Sequence, residues 1–141
     1  MIKQLKRLKS FHKYFMNWIN ENIIDINKHQ AFVYEIHNIK LNLRYIGKKN
    51  IWSTTSKPPL KGRVNRRKTT KESNWKTYFS SSDTVKQWNI QDCKCTILIP
   101  CELKGQATFH EIRLLWLNDV LNPDNNFVNK AIGNFRRFYT H

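Results

Sequence analysis

Two tyrosines eleven residues apart, Tyr34 and Tyr45, are the side chains whose spacing most directly suggests chemistry. Tyr34 lies in the phrase Phe-Val-Tyr-Glu-Ile and Tyr45 in Arg-Tyr-Ile-Gly-Lys-Lys, and a polar turn containing asparagine separates the two phrases. Both phrases are β-prone, so the pattern predicts a hairpin with strands over 31–37 and 42–47. Such a hairpin would bring two phenol groups into one small region. The alternative is that both tyrosines are half-buried strand residues without a chemical role.

A third candidate is Glu111, one of ten acidic residues in the chain. It lies in an apolar stretch that predicts a helix over 108–121, ended by Pro123. The predicted apolar stripe consists of Phe109, Ile112, Leu115, Trp116 and Val120. A carboxylate beside a core-facing stripe is costly unless it is paired or binds a cation. Glu111 is therefore a metal ligand, a salt-bridge partner of Arg113 or a solvated residue.

The charge of the chain indicates a polyanionic partner. Lys and Arg total 25 against 10 Asp and Glu, which gives a net charge of +15 and a pI near 10.0. Between Glu35 and Glu72 there is no acidic residue and there are eleven basic ones: Lys40, Arg44, Lys48, Lys49, Lys57, Lys61, Arg63, Arg66, Arg67, Lys68 and Lys71. A run of this length and single sign repels itself unless a negative partner lies against it. Nucleic acid is the favoured partner, and an acidic membrane surface or an acidic protein is the alternative.

The segment 48–71 within this stretch predicts a long extended crossing rather than a helix. Pro58 and Pro59 exclude a regular helix there, and Gly62 interrupts the segment further. A loop of this length in a compact domain is usually functional or disordered. Its charge predicts a segment that nucleic acid would order.

The remaining pattern predicts one domain with further helices. Helices are expected over 3–24, where apolar residues recur at spacings of three and four, and over 83–89, after a run of serines. The first helix either packs on the core or on a second copy, or touches phosphate through its basic residues. No run of eighteen apolar residues and no clean signal peptide is present, so neither membrane insertion nor export is expected, and the predicted location is the cytoplasm.

Three cysteines, Cys93, Cys95 and Cys101, lie close together in the sequence. Their odd number argues against a disulfide framework and for a reducing compartment. Buried thiols around a strand over 95–99 are the plainer interpretation. A zinc site with His110 as the fourth ligand is the alternative, although Cys-x-Cys is not the usual zinc spacing.

Most of the chain from Phe32 to Phe135 resembles a group of GIY-YIG endonucleases common in phage genomes. The matching phrases occur in the family's order: Phe-Val-Tyr (32–34), Tyr-Ile-Gly-Lys-Lys (45–49), Lys-Pro-Pro-Leu-Lys-Gly-Arg (57–63), Glu-Ser-Asn-Trp-Lys-Thr-Tyr (72–78), the helix with Glu111, and Asn-Lys-Ala-Ile-Gly (129–133). The two-tyrosine phrase alone is short. The specificity of the resemblance comes from the ordered set of phrases.

The resemblance implies an α/β (α+β) fold, in which a small three-stranded antiparallel sheet is flanked by helices and an N-terminal helix is added. The chain would divide into an N-terminal extension over 1–30 and a GIY-YIG-like nuclease domain over 31–141. The implied activity is hydrolysis of phosphodiester bonds in double-stranded DNA. The implied cofactor is Mg2+ (or Mn2+), bound through Glu111.

The resemblance also implies roles for individual side chains. Tyr34 and Tyr45 would position or deprotonate the attacking water, and Tyr78 would lie near the scissile phosphate. Asn129 would support the site, and Arg63 would neutralise charge that develops on the phosphate. The residues expected to bind DNA are Lys48, Lys49, Lys61, Arg66, Arg67 and Lys68.

Three places depart from the family's pattern, and the first is Phe-Val-Tyr at 32–34 in place of Gly-Ile-Tyr, which relatives of this type tolerate. Thr54 and Thr55 are neutral where relatives tend to carry a basic residue, and Arg63 is the nearest substitute for the missing arginine. Relatives also tend to have glycine near Ser80. Three functions are therefore open: a metal-dependent DNA endonuclease of the homing or phage-encoded kind, a degenerate copy that binds DNA without cutting it, and a basic RNA-binding or structural protein.

Overall fold

A three-stranded antiparallel sheet organises the computed structural model, which describes residues 17–136. The central strand β1 (Ala31–Asn38) pairs with β2 (Leu43–Asn50) on one side and β5 (Cys93–Cys101) on the other. The predicted α+β class and its three-stranded sheet are confirmed. Both observed strands of the first hairpin are slightly longer than the strands predicted from the sequence. Aromatic and β-branched residues suit β1 to the centre of a sheet, where it is buried on both faces.

The two faces of the sheet carry separate parts of the core. β1 alternates its side chains, so Phe32, Tyr34 and Ile36 lie on one face and Ala31 and Val33 on the other. The first face packs against a cluster that includes Trp18, Ile51, Trp75, Val85, Cys95 and Ile97. The second face packs against helix α2 (Lys104–Leu117) and the residues that follow it: Ala107, Leu115, Val120, Leu121, Phe127 and Ile132.

Helix α2 begins and ends four residues earlier than the 108–121 predicted from sequence. Gly105 does not delay the start, because it lies in the first turn, where a glycine disturbs few helical hydrogen bonds. The helix ends before Asp119, which adopts a left-handed φ of 50° that an α-helix cannot continue through. Pro123 therefore follows the helix at a distance and does not end it.

The predicted apolar stripe of this helix was wrong at two positions. Phe109 and Trp116 are 64% and 52% exposed. The prediction was right at Leu115, which is buried, and at Ile112, which packs against the same cluster. It missed the buried Ala107, because a small residue gives a weak apolar signal.

A second hairpin occupies the segment that was predicted to be an extended loop. Strands β3 (Trp52–Lys57) and β4 (Arg67–Glu72) are antiparallel and in register over their whole length. The loop prediction was wrong because the two prolines follow β3 and lie in the turn, where they interrupt no strand pairing. Every residue from 54 to 72 is exposed. We call residues 52–72 the basic arm.

Short elements connect the arm to the rest of the sheet. Trp75–Thr77 forms a 3-10 turn, and α1 (Asp83–Lys86) is a single helical turn in which Ser82 Oγ accepts from the Val85 N–H. The helix predicted over 83–89 is shorter than expected, because another 3-10 turn, Ile90–Asp92, leads the chain into β5. Two-residue strands β6 (Ala131–Ile132) and β7 (Phe135–Arg136) close the described part of the chain.

The start of the described chain pairs with β5 and then forms a 3-10 turn, Glu21–Ile23, rather than an α-helix. Ile19 makes a parallel bridge to Thr96, in which its N–H donates to Cys95 O at 2.8 Å. The helix predicted over 3–24 is therefore wrong for its last part, where the free edge of β5 offers backbone partners, and its first part lies outside the described residues. Trp18 is 3% exposed and donates to Trp75 O at 2.7 Å. The division of the chain at residue 30 stays a prediction.

All three cysteines lie on β5, with Cys95 and Cys101 buried and Cys93 half-buried. Burial raises the pKa of the Cys93 thiol to about 11 and that of the Cys95 thiol to about 12. Such thiols are protonated at neutral pH and are poor nucleophiles. Between residues 17 and 136, no helix is long and apolar enough to cross a membrane.

Candidate active site

Three tyrosines form a cluster on the face of the sheet that is opposite helix α2. The register pairs Tyr34 with Gly47 and Ile36 with Tyr45, so both predicted tyrosines lie on this face. The ring centroid of Tyr34 lies 6.2 Å from that of Tyr45 and 6.1 Å from that of Tyr78. Tyr34 is 1% exposed, whereas Tyr45 and Tyr78 are half-buried. Tyr34 is thus the buried centre of the cluster, and the other two phenols border solvent.

Gly47 leaves the space that the Tyr34 ring occupies. A Cβ atom at position 47 would lie 2.6 Å from the Tyr34 hydroxyl oxygen and 2.7 Å from Tyr34 Cζ. Both distances are far shorter than any normal contact. The glycine in the Tyr-Ile-Gly phrase therefore lets the phenol of β1 lie directly on the backbone of β2.

Burial keeps the phenols of the cluster protonated. The pKa of Tyr34 is raised far above its usual value of 10.0, first by burial and then by Tyr45 and Tyr78 nearby. Burial also raises the pKa of Tyr45, and the neighbouring Glu111 carboxylate adds to this rise. Hydrogen bonds with Ser80 and Ser81 oppose the change but do not reverse it. At neutral pH both groups are hydrogen-bond donors rather than bases.

Ser80 is a site residue that the sequence did not identify as functional. It is 4% exposed, has a left-handed φ of 72° and hydrogen-bonds to both Tyr34 and Tyr45. This conformation favours glycine, which accounts for the glycine that relatives tend to carry nearby. The departure from the family's pattern was therefore the available signal. A serine at this position is less comfortable in the left-handed conformation than glycine would be. Its hydroxyl, however, bonds to both phenols.

Glu111 lies on the sheet-facing side of α2, four residues after Ala107 and four before Leu115. Its carboxylate is half-buried, which raises its pKa, while the Lys48 ammonium and a backbone hydrogen bond from Lys48 lower it. The alternative of a salt bridge to Arg113 is not observed, since Arg113 Nη2 lies 3.2 Å from His110 Nδ1. The ion pairs within residues 17–136 are Lys28–Glu102 and Arg44–Glu35.

The outer edge of β2 explains how Glu111 and Asn129 come to the same place. Backbone groups of alternate residues point away from β1, and each finds a partner. The Arg44 N–H donates to Asn126 O, and Arg44 O accepts from the Val128 N–H, both at 2.8 Å. At Ile46, the Asn129 amide accepts from the N–H at 3.1 Å and donates to the carbonyl at 2.8 Å. Next along this edge is Lys48, whose backbone bonds to Glu111.

Asn129 therefore acts as a one-residue extension of the sheet. It is 6% exposed and lies 83 residues after Ile46 in the sequence. Its amide satisfies two buried backbone groups between Tyr45 and Gly47, the residues that border the tyrosine cluster. This contact fixes the conformation of the Tyr-Ile-Gly phrase from outside the sheet.

Two of the predicted DNA-binding lysines lie beside the site. Lys49 is half-buried, and its Nζ lies 4.1 Å from the centroid of the Tyr78 ring, while burial lowers its pKa. It shares a face with Tyr45 and Gly47, because side chains two residues apart point the same way. Lys48 points to the other face, where its Nζ donates to Thr108 Oγ1.

The other predicted cations lie on the basic arm, away from the tyrosines. Lys61 and Arg63 are in the turn, and Arg66, Arg67 and Lys68 are at its end and at the start of β4. A six-residue strand at about 3.3 Å per residue puts the turn roughly 17 Å beyond the base of the arm. The structure thus does not bring Arg63 into contact with Tyr34 or Tyr45. Its catalytic role stays a prediction.

The residues present fit a magnesium ion held by one carboxylate. No group of three or more His, Cys, Asp or Glu side chains in residues 17–136 is arranged to hold a metal. Mg2+ keeps several waters and commonly binds through one or two carboxylates together with substrate phosphates. Glu111, half-buried and outside any ion pair among these residues, suits that mode. The other ligands would be water and phosphate oxygens of the substrate.

Comparison with known families agrees with this geometry. The family model described as "Putative endonuclease segE, GIY-YIG domain" matches residues 16–132, which is well over half of the chain. The chain therefore belongs to the segE-type GIY-YIG endonuclease family, and its domain is that of a nuclease. No curated protein and no solved structure matches the chain.

Proposed function

We propose that this protein is a metal-dependent endonuclease that hydrolyses phosphodiester bonds in double-stranded DNA. The observation that carries the proposal is that Glu111 bonds to the backbone of Lys48 on β2, the strand that also carries Tyr45, whose pKa the Glu111 carboxylate raises. Because the resemblance extends to phage-encoded homing enzymes, we propose the same kind of enzyme here, acting in the cytoplasm of an infected bacterium. Family membership and a net charge of +15 support DNA as the substrate.

In this proposal Glu111 holds Mg2+ (or Mn2+). When bound, the metal supplies positive charge that polarises the phosphate and makes nearby water easier to deprotonate. The attacking water oxygen bonds to phosphorus as the bond to the leaving sugar oxygen breaks. The water gives up a proton to solvent, and the leaving oxygen takes one from solvent.

In this scheme we assign the tyrosines to position the attacking water, and either of them would need a bound metal or a nearby cation to act as its base. A general base needs a pKa near the working pH. Burial raises the pKa of Tyr34 and Tyr45 above the usual value of 10.0, and therefore further away from neutral pH. Tyr45 is partly exposed, so its hydroxyl is available to donate to water or phosphate. Tyr34 is buried and acts by holding Tyr45, Tyr78 and the Gly47 backbone in place.

We propose that Lys49 is the cation that neutralises the negative charge developing on the phosphate. Arg63 is on the arm, and Thr54 and Thr55 are neutral, so none of them brings a positive charge to the tyrosine cluster. The Lys49 ammonium already lies on the Tyr78 ring. Its partial burial strengthens its electrostatic interaction with a phosphate, because less water screens the charge.

A plasmid assay tests the proposal. Supercoiled DNA would be incubated with the full chain and Mg2+, alongside EDTA and the near-isosteric variant Glu111→Gln. We expect nicking or linearisation that requires the metal and falls roughly 100-fold or more in the variant, because a metal ion contributes several kcal/mol to such transition states. Cleavage that survives EDTA or the substitution would refute the assigned role of Glu111.

The second candidate function is DNA binding without cleavage. It is favoured by one observation, the neutral pairs Thr54–Thr70 and Thr55–Thr69 in the strands where relatives tend to carry a basic residue. Plasmid that is shifted on the gel but stays supercoiled with Mg2+ and with Mn2+ would establish this function. Plasmid that is neither cut nor shifted would exclude both candidates.

A further inference from the structure

The basic arm is a two-stranded ribbon that contacts the body of the protein at its base. Trp52 Nε1 donates to Ile26 O at 2.8 Å, and the Ser73 N–H donates to Ile51 O at 2.7 Å. Glu72 Oε1 accepts from Trp75 Nε1 at 2.9 Å, which occupies the arm's one carboxylate. Beyond this base, all side chains of 54–72 are exposed, although the strands remain paired through six successive residues. An ordered, fully exposed ribbon of this kind is suited to contact a partner.

The register gives the arm two chemically different faces. Residues directly opposite each other in an antiparallel pair lie on the same face. One face, which we call the cationic face, carries Ser53, Thr55, Lys57, Arg67, Thr69 and Lys71. It holds three cations and no acid. The other face carries Trp52, Thr54, Ser56, Lys68, Thr70 and Glu72, and it is tied to the body through the two residues at its base.

Hydroxyl groups occupy the middle of the cationic face, between its charged ends. Thr55 Oγ1 and Thr69 Oγ1 lie 3.0 Å apart, so the two hydroxyls hold each other in place. Lys57 and Arg67 lie opposite each other towards the tip, and Lys71 lies opposite Ser53 near the base. A hydroxyl can donate to or accept from a base edge, while lysine and arginine neutralise phosphates. This arrangement, with polar groups in the centre and cations at the ends, matches the pattern of bases flanked by phosphates.

The dimensions favour the major groove of a DNA duplex. Two paired strands lie about 4.8 Å apart, and with their side chains they fit the major groove, about 12 Å wide, but not the minor groove, about 6 Å wide. At the tip, Val64 is 94% exposed and Leu60 is 51% exposed. Such apolar groups suit contact with thymine methyl groups, which only the major groove presents. The charge of the arm and the shape of the ribbon therefore indicate the same groove.

We propose that the basic arm enters the major groove of duplex DNA with its cationic face towards the base pairs, and that it is the main DNA-binding element of the protein. The proposal takes duplex DNA from the proposed function but does not require cleavage. It assigns the affinity for DNA to the arm and the cleavage reaction to the tyrosine cluster. All binding is therefore measured with the full chain in EDTA, where loss of the nuclease activity cannot affect the result.

The first test compares two triple substitutions that remove the same charge. The arm variant is Lys57→Gln, Arg67→Gln and Lys71→Gln, and the control is Lys40→Gln, Lys86→Gln and Lys94→Gln, all exposed and outside the arm. Affinity for a short fluorescent duplex is measured by anisotropy over a range of salt concentrations. We expect the arm variant to bind about tenfold or more weakly and to lower the slope of log K against log salt by roughly 2 to 3. Equal losses in both variants would overturn the proposal, since they would mean that only total charge matters.

The second test identifies the groove and the type of polyanion. Methyl green, which occupies the major groove, should displace the protein from the duplex, and netropsin, which occupies the minor groove, should not. The reverse result would overturn the major-groove assignment. Tighter binding to single-stranded RNA or to anionic phospholipid vesicles than to duplex DNA would overturn the choice of partner. Unchanged thermal melts of both triple variants ensure that any loss of affinity is not a loss of fold.

Discussion

Two consecutive hairpins of this chain share one backbone arrangement and have opposite surroundings. β1 and β2 pair antiparallel over eight residues, and β3 and β4 over six. Almost all of β1 is buried, whereas all of β4 is exposed. β1 carries large apolar side chains on both faces, whereas β3 and β4 consist mostly of serine, threonine, lysine and arginine. The comparison teaches that pairing alone does not decide what a hairpin does, because the side chains determine whether the core or a partner covers it.

The difference in burial has chemical consequences. In the first hairpin, burial raises the pKa of Tyr34 and Tyr45 and lowers that of Lys49, so the site holds protonated phenols beside a poorly hydrated cation. In the basic arm, water surrounds every side chain from 54 to 72. We therefore propose that the first hairpin performs the chemistry and that the second provides the long-range attraction of DNA. Substitutions in each hairpin should separate these two roles.

The largest effect on stability is expected at Asn129, which holds the edge of the first hairpin. Asn129→Ala would leave the N–H and C=O of Ile46 without their partner, and buried orphan groups cost about 1–3 kcal/mol each. We expect unfolding in urea to show a loss of about 2–4 kcal/mol. Asn129→Asp, which keeps only the acceptor, is the comparison variant, and it too should be destabilised. A stable alanine variant would show that the arrangement of β2 does not depend on this side chain.

At Lys49 the expected effect is on rate rather than on stability. Lys49→Gln should lower the single-turnover cleavage rate by about 10–100-fold, as loss of one electrostatic group in a water-poor site does. Lys49→Arg keeps the charge and can stack on Tyr78, so it should retain most of the activity. If the glutamine variant weakened DNA binding but cleaved at the normal rate when saturated, Lys49 would belong with the arm as a binding residue.

Gly47 tests the close packing of the cluster. Gly47→Ala should destabilise the protein by about 1–3 kcal/mol, because the new methyl group would overlap Tyr34 and force the ring aside. The matched control is Gly105→Ala in the first turn of α2, where nothing lies within 4 Å of the added atom. That variant should be neutral or stabilised by a few tenths of a kcal/mol. Equal thermal melts for both variants would contradict the description of the site.

The smallest effect concerns alkaline pH. The pKa of Tyr34 is higher in the folded chain than in the unfolded chain, so the folded state holds its proton more tightly. Its contribution to stability is complete below pH 10 and is lost progressively as the pH rises above 10. Tyr34→Phe should therefore reduce the loss of stability between neutral pH and about pH 11, measured by urea unfolding at each pH. Identical pH dependence in both proteins would mean that Tyr34 ionises freely in the folded state.

The local sequence pattern was enough to predict the first hairpin and to predict that it brings two tyrosines close together. Alternation, β-branched residues and a polar turn are all local signals, and they indicate two neighbouring strands that each carry a tyrosine. They do not fix the register, in which Tyr34 pairs with Gly47. Glu111 was also found locally, as a carboxylate in an apolar stretch. Its contact with the backbone of Lys48 was not, because it depends on how α2 packs on the sheet.

The features that could not be predicted depend on distant contacts or on weak signals. Asn129 lies 83 residues from Ile46, and nothing in its neighbourhood indicates that its amide completes a strand edge. The second hairpin was missed because its nine-residue turn contains two prolines and its strands have no apolar face to produce a period-two pattern. The left-handed conformation of Ser80 was visible only as a departure from the glycine that relatives tend to carry.

The most direct test of the division between the two hairpins measures affinity and rate on one duplex for two variants. Glu111→Gln changes the first region, and the triple variant Lys57→Gln, Arg67→Gln and Lys71→Gln changes the second. We predict that Glu111→Gln keeps the wild-type Kd and loses the single-turnover rate. The arm variant should lose affinity and keep the rate once DNA is saturated with protein. If each variant lost both quantities in proportion, cleavage and binding would share one surface, and the separation of roles between the two hairpins would be wrong.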